Sequence, residues 1–349
     1  MKIENLIREN IKTLKPYSSA RKEFTGKGEV FLDANENSFG SPLPRDYNRY
    51  PDPLQTEIKR LLAPIVGVRP EQLFVGNGSD EAIDLLFRIF CEPRQDNVVI
   101  CPPTYGMYEV SAAINDVAVR RAPLTNEFRL DTGKIRQMIG ERTKLIFICS
   151  PNNPTGNAFP REKIIEIADG FDGIVVVDEA YFEFARGATM ASEIGTCPNI
   201  VVLRTFSKAW GLAGLRTGFA IANEEVIRLF NNVKPPYNVS QIAQEAIVEA
   251  LGNRNAVELM IDSIIAEREI LKYELNRLPF VSRVYPSDAN FVLVRTSDAD
   301  AIYRFLLDER IVVRNRNTVE LCEGCLRITI GTPVENQQLL RALKRFKNL

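Results

Sequence analysis

The chain contains no histidine. That absence removes histidine as general base and as metal ligand, and with it every Ser-His or Cys-His catalytic pair. Acid–base chemistry near neutral pH must come from a shifted lysine, tyrosine, cysteine or carboxylate, or from a cofactor. An excess of one charge is also missing. There are 44 basic residues against 45 acidic ones, so no basic field points to nucleic acid. No apolar run approaches the roughly 20 residues of a membrane-spanning helix, which argues against a membrane. Met1-Lys2-Ile3-Glu4-Asn5 is polar and mixed in charge, unlike a signal peptide. The expectation is a cytoplasmic protein. Repeats and low-complexity segments are absent. Cysteine is sparse, and Cys322-Glu323-Gly324-Cys325 is a lone C-x-x-C. Zinc needs a second pair of ligands, and none exists here. The other four cysteines lie in or beside apolar segments, as small buried residues do.

What is present is an ordinary globular composition, 45% hydrophobic and 26% charged over 349 residues, enough for one large and one small domain. Apolar runs alternate with helical patterns through the middle of the chain. Val98-Val99-Ile100-Cys101, Leu145-Ile146-Phe147-Ile148, Ile174-Val175-Val176-Val177 and Ile200-Val201-Val202-Leu203 lack polar alternation. Such strands are buried on both faces, as in a parallel sheet covered by helices. In an open α/β sheet ligands bind beyond the carboxyl ends of the strands. Those ends carry Tyr105, Asn153, Asp178, Tyr181 and Lys208, so the five converge on one site.

At the edges the reading is coarser. Residues 3–14 suggest a helix, followed by an irregular polar segment that includes Tyr17. Val30-Phe31-Leu32 suggests a short strand, and residues 54–62 a helix. Asn48-Arg49-Tyr50-Pro51-Asp52-Pro53 is extended and fixed by prolines. Gly76-Asn77-Gly78-Ser79-Asp80-Glu81 is a glycine-rich turn opening a helix. It suits an anion at free backbone N–H groups, or simply a Ser79-capped helix start. Two long helices follow near residues 240–251 and 254–277. A compact α+β tail closes the chain, with strands over residues 291–294, 311–314 and 326–330. The expected division is a large domain over residues 29–249 and a small one from 1–28 plus 250–349.

The central stretch is Thr205-Phe206-Ser207-Lys208, ending at Gly214-Leu215-Arg216. It places a lysine just past a core strand, with hydroxyls one and three residues before it and a cation eight residues after. Pyridoxal phosphate chemistry needs that set: an amine to form a Schiff base, and hydroxyls and an arginine to hold a phosphate. On this stretch alone a solvated loop lysine is the commoner reading, and the rest of the chain decides between them.

The motifs DANEN (33–37), NRYPDP (48–53), GNGSDEAIDLL (76–86), PTYGMY (103–108), SPNNPTG (150–156), VVDEAY (176–181), TFSKAWGLAGLRTGF (205–219) and LRITIGTP (326–333) occur in this order. Together they cover nearly the whole chain and resemble the fold-type I pyridoxal-phosphate-dependent aminotransferases. Within them the resemblance is to the histidinol-phosphate aminotransferase family. It implies an α/β large domain with a mostly parallel seven-stranded sheet and a small α+β domain. It implies that Lys208 holds pyridoxal 5'-phosphate and acts as base, and that Asp178 faces the pyridine nitrogen. Asn153 and Tyr181 then bind the ring oxygen, and Tyr105 stacks on the ring. Ser79, Asp80, Thr205, Ser207 and Arg216 hold the phosphate, and Tyr50 reaches the phosphate of a second subunit in a homodimer. For substrates it implies L-histidinol phosphate and 2-oxoglutarate, with glutamate as product. Arg327 and Arg314 hold the substrate phosphate and Tyr17 lies beside it, while Arg316 stays open as an alternative to Arg314. A decarboxylase of a phosphorylated amino acid, an aminotransferase for aromatic or other amino acids, and a non-catalytic module on the same fold are the other readings.

Overall fold

The computed structural model describes residues 3–17 and 30–346. Its centre is a seven-stranded sheet in the order β1-β7-β6-β5-β4-β2-β3. The strands are β1 (Leu73–Gly76), β2 (Asn97–Ile100), β3 (Ala118–Arg121), β4 (Thr143–Cys149), β5 (Ile174–Asp178), β6 (Ile200–Thr205) and β7 (Gly218–Ile221). Neighbours from β3 through β6 pair in parallel. β7 runs against both β6 and β1, so β1 and β6 point the same way. All strands but β3 are buried over nearly their whole length. The unbroken apolar runs are therefore two-sided strands, with one hydrophobic cluster on each face of the sheet.

The second sheet has four antiparallel strands in the order β10-β11-β9-β8. These are β8 (Val281–Val284), β9 (Phe291–Thr296), β10 (Arg314–Asn315) and β11 (Cys325–Thr329). Their own cluster contains Val292, Val294, Leu326 and Ile328 with Ile302, Leu306 and Leu343 of the covering helices. The 22-residue helix Arg254–Leu275 joins the layers. Its Val257 and Ile261 sit in the large cluster, while Leu271 and Leu275 sit in the small one.

Four expectations change. Residues 3–14 do not form one helix but a 3-10 turn over Ile3–Leu6 and a helical turn over Glu9–Lys12. Ile3 and Leu6 are three apart, so three residues per turn put both on one buried face. That face packs with Leu86 and Phe90 of the large layer, and the Arg8 N–H donates to the Ile89 carbonyl at 3.0 Å. These residues therefore lie on the large layer, not with the small sheet. The remainder of the N-terminal segment, residues 18–29, is outside the described residues. Second, residues 30–32 form no strand. Val30 and Leu32 are 77% and 83% exposed; an apolar triplet pairs only where a sheet edge receives it. Third, the helix expected over residues 54–62 is Thr56–Val66. The Asp52 carboxylate accepts the Thr56 N–H at 2.6 Å, and Gly67 closes the helix at φ +75°. Fourth, the strand expected over 311–314 shrinks to Arg314–Asn315. The Ile311 N–H is spent on the Leu306 carbonyl at 2.7 Å, closing the helix before it.

Candidate active site

A cleft opens at the carboxyl ends of β1, β2, β4, β5 and β6, lined by Ser79, Asp80, Tyr105, Asn153, Asp178, Tyr181, Thr205, Ser207, Lys208 and Arg216, with Gly78, Cys149 and Ala180. Its empty volume is about 490 Å3, open to solvent. The parallel pairing brings these residues together, although they span 139 positions between Gly78 and Arg216. Each strand ends where its backbone leaves the sheet, and the next side chains point into the crevice.

The chemistry divides along the cleft. At one end lies the start of the helix Gly78–Phe90, where first-turn N–H groups lack intrahelical partners. Arg216 stands beside it. Its guanidinium reaches Ser207 Oγ at 3.5 Å and Asp80 Oδ2 at 3.5 Å. Thr205 Oγ1 accepts the Ser207 N–H at 3.0 Å and shapes the turn. Gly218 permits this approach: a Cβ there would stand 2.5 Å from the Ser79 nitrogen. A cation, two hydroxyls and a helix start form a seat for a dianion.

At the other end is Asp178, the last residue of β5 and 2% exposed. Tyr108 Oη donates to Asp178 Oδ2 at 2.7 Å, and the Ala180 N–H donates to Oδ1 at 3.1 Å. Burial pushes the carboxyl up to about 6; those two hydrogen bonds and Lys208 pull it down, while Asp80 adds repulsion. An apolar pocket holding a carboxylate among neutral donors suits a cationic partner. Tyr108 is the residue that the sequence reading missed. Its signal was its place in PTYGMY, three positions after Tyr105, where a helix repeats its face. Tyr108 is fully buried, stacked on Phe147 at 4.7 Å, and burial raises its phenol well above the usual range.

Between the two ends lies Lys208, its Nζ 5.7 Å from the centre of the Tyr181 ring. Partial burial, with the charges of Arg327 and Arg216, holds its ammonium below the ordinary lysine range. Asn153 Nδ2 donates to Tyr181 Oη at 3.5 Å. Tyr105 Oη donates to Asp80 Oδ1 at 3.1 Å. The adjacent Asn152 serves the frame: Nδ2 donates to the Pro103 carbonyl at 2.9 Å and to Thr155 Oγ1 at 2.8 Å. Behind the strand ends, Arg204 forks onto Glu179 Oε2 at 2.8 and 3.0 Å, both nearly fully buried. That pair clamps β5 to β6 beside Asp178 and Lys208.

The set fits pyridoxal phosphate by its donors: a dianion seat, a buried carboxylate for a protonated ring nitrogen, amide and phenol groups at an edge, an aromatic wall and a free amine. Among the described residues no group of three or more acidic or cysteine side chains could hold a metal, and no helix is long and apolar enough to cross a membrane.

Some expected residues stay outside the cleft. Tyr50 is half exposed and stacks on Tyr237, centroids 4.4 Å apart. Tyr17 is 73% exposed. Arg327 lies at the rim: Nη1 donates to Asn153 Oδ1 at 2.5 Å, with the guanidinium 5.1 Å from the centre of the Phe291 ring. Arg314 is exposed and pairs across from Arg327 in the small sheet. Arg316 is half-buried, and Arg314 beside it lowers its basicity, after burial itself.

The family described as "Aminotransferase class I and II" matches residues 31–343. A protein of Cytophaga hutchinsonii called histidinol-phosphate aminotransferase is 50% identical over 344 residues, 99% of each chain. One of the same name from Parabacteroides distasonis is 50% identical over 345 residues, again 99% of each. Among solved structures, a histidinol-phosphate aminotransferase from Sinorhizobium meliloti, in complex with pyridoxal-5'-phosphate, superposes with a TM-score of 0.79 at 26% identity. That match covers 89% of this chain and 88% of the other.

Proposed function

The chain belongs to the class I and II aminotransferases, and from that premise we infer that it transfers an amino group between L-histidinol phosphate and 2-oxoglutarate. The products are imidazole-acetol phosphate and glutamate, in one step of histidine biosynthesis in the cytoplasm. The observation that carries this reading is identity near 50% along the whole length of relatives named for that activity. It is a pyridoxal-phosphate-dependent enzyme. Bound, the cofactor supplies an electron sink for loss of the donor's Cα proton.

The protein's own residues do the rest. Lys208 Nζ is the amine that would hold the cofactor, and as a free amine it would take the donor's Cα proton. An amine held below the ordinary lysine range is deprotonated more readily near neutral pH. The Asp178 carboxylate holds a proton on the ring nitrogen. Asn153 and Tyr181 bind the ring oxygen, and Tyr105 covers the ring. Ser79, Asp80, Thr205, Ser207 and Arg216 hold the cofactor phosphate. Tyr17 and the arginines of the small sheet take the substrate's far end. Both half-reactions share one site, so the kinetics are ping-pong.

Arg327 and Arg314 face each other across β10 and β11, which suits the two guanidinium groups that a phosphate dianion favours. Replacing Arg314 with alanine should cost roughly ten- to a hundredfold in kcat/KM for histidinol phosphate, one charge-assisted contact. Glutamate should suffer far less. Arg327→Ala should damage both half-reactions, because 2-oxoglutarate uses that guanidinium too. Single half-reaction kinetics with each donor give the ratio. Equal losses on both donors in Arg314→Ala, with a selective loss in Arg316→Ala, would move the role to Arg316. Equal losses in both variants would return the substrate to the wider aminotransferase range.

The working unit is a homodimer with shared sites. Tyr50 stands outside its own cleft, and the segment leading to it exposes Val30, Leu32 and Phe39, apolar area that a second copy would cover. A Tyr50→Phe chain mixed with a Lys208→Ala chain yields a heterodimer with one doubly damaged and one intact site. Activity should rise above that of either parent homodimer once subunits exchange. No recovery after verified exchange would exclude sites built across the dimer.

A further inference from the structure

Behind the anion seat lies a hydrogen-bonded cluster to which the mechanism assigns nothing. It joins the turn that opens the helix Gly78–Phe90 to the proline segment that carries Tyr50. Asn238 is its hub. Its Nδ2 donates to Glu81 Oε2 at 3.0 Å and to the Val75 carbonyl at 3.1 Å. Its Oδ1 accepts from Lys234 Nζ at 2.9 Å and from Gln55 Nε2 at 3.3 Å. Its own carbonyl accepts from Asn77 Nδ2. The hub therefore uses both edges of its amide and its backbone.

Each neighbour is committed as well. Glu81 Oε2 accepts the Asn77 N–H at 2.5 Å, so the carboxylate reaches back over the first turn of its own helix. That occupies the N–H preceding the helix and leaves those of Gly78, Ser79 and Asp80 to the cleft. Gly76 keeps the carboxylate close: a Cβ there would stand 2.8 Å from Glu81 Oε2. Lys234 is nearly fully buried. Besides Asn238, its ammonium donates to the carbonyls of Pro53 at 2.7 Å, Pro236 at 3.0 Å and Pro235 at 3.2 Å. A buried ammonium is costly unless its donors are satisfied. Three carbonyls and one amide oxygen supply that, and in return they fix two prolyl segments against each other. Tyr237, beside the hub, stacks on Tyr50.

We propose that Asn238, clamped by Lys234, is a positioning residue for the phosphate end of the cofactor site. It locks Glu81 and Asn77 and so sets the direction of the N–H groups that meet the phosphate. This rests on the reading that the anion seat takes the cofactor phosphate. The donor arrangement is short-ranged, and a small rotation of the turn at residues 76–79 misdirects several N–H groups together.

The test separates phosphate binding from general stability. Apoprotein is titrated with pyridoxal phosphate and with pyridoxal, which lacks the phosphate, in wild type, Asn238→Ala and Asn238→Asp. Asn238→Asp has the same shape but turns the donor to Glu81 and Val75 into an acceptor, and it keeps an acceptor for Lys234. The expected result is a loss of roughly tenfold or more in affinity for pyridoxal phosphate, larger for Asp than for Ala, with pyridoxal affinity unchanged. Variants that keep the wild-type preference for the phosphorylated form, or lose both ligands by one factor, overturn the proposal. Should Asn238→Ala fail to fold, Asn238→Asp alone decides by the same ratio. If wild type itself binds the two ligands equally, the phosphate assignment fails instead, which is a separate outcome.

Discussion

Lys208→Ala should abolish transamination, with kcat falling to background. Among the described residues the cleft contains one amine, and no histidine exists in the chain to take over the Cα proton. The rest of the seat is intact in this variant. Arg216, Ser207, Ser79 and Asp178 belong to other positions of the same cleft, so the protein should still bind the cofactor, reversibly. Two measurements check this. Borohydride reduction of wild type followed by peptide mapping should place the cofactor on the Lys208 peptide. Dialysis should strip the cofactor from the variant far faster than from wild type. A labelled peptide carrying another lysine, or substantial turnover by the variant, would remove Lys208 from the mechanism.

The second large effect concerns Asp178. Asp178→Asn preserves shape but removes the charge that keeps the ring nitrogen protonated. Turnover should fall roughly a hundredfold or more, as expected when a preorganised charge at the reacting system is lost. Near-normal turnover would refute the role. Stability supplies an independent readout with the opposite sign. In the apoprotein, burial raises this carboxyl from 3.8 to about 6. A folded state that binds the proton more tightly than the unfolded chain is penalised as pH rises through that window. The penalty is absent below about pH 4 and complete above about pH 6. It amounts at most to roughly 3 kcal/mol. Apo Asp178→Asn should therefore gain thermal stability over apo wild type at pH 7 and lose that advantage near pH 4. Tyr108→Phe deletes one of the hydrogen bonds that favour the charged form. It should move the Asp178 titration further up, readable by carbon NMR of the apoprotein. Lys208, Asp80, Cys149, Tyr105 and Tyr181 face the same carboxyl, so the shift is read against wild type.

The central sheet was legible because its signal is local and strong. Runs such as Ile174-Val175-Val176-Val177 carry their own evidence of two-sided burial. Lys208, Asp178 and Asn153 were legible as cleft residues for the related reason that each lies at or just past the end of such a run. The edges were not. Val30 to Leu32 has the composition of a strand, yet strand formation needs a partner edge, which no local pattern encodes. Arg314 to Asn315 pairs as a two-residue strand because the preceding helix takes the Ile311 N–H, a contest between bonds that the sequence does not rank.

By itself the sequence determined the class of chemistry. A lysine after a core strand, with hydroxyls before it and an arginine after, suits pyridoxal phosphate. The ordered motifs, by their resemblance to the fold-type I enzymes, carry that reading over a solvated loop lysine. Tertiary structure alone decided which groups act on which. It set Tyr108 against Asp178 across 70 positions and Arg327 against Asn153 across 174. It also joined Asn238 to Glu81 across 157. Hydrogen bonds are directional and reach only about 3 Å, so a partner that distant in sequence is chosen by the packing of the sheet and its helices. Periodicity and spacing report only neighbours along the chain.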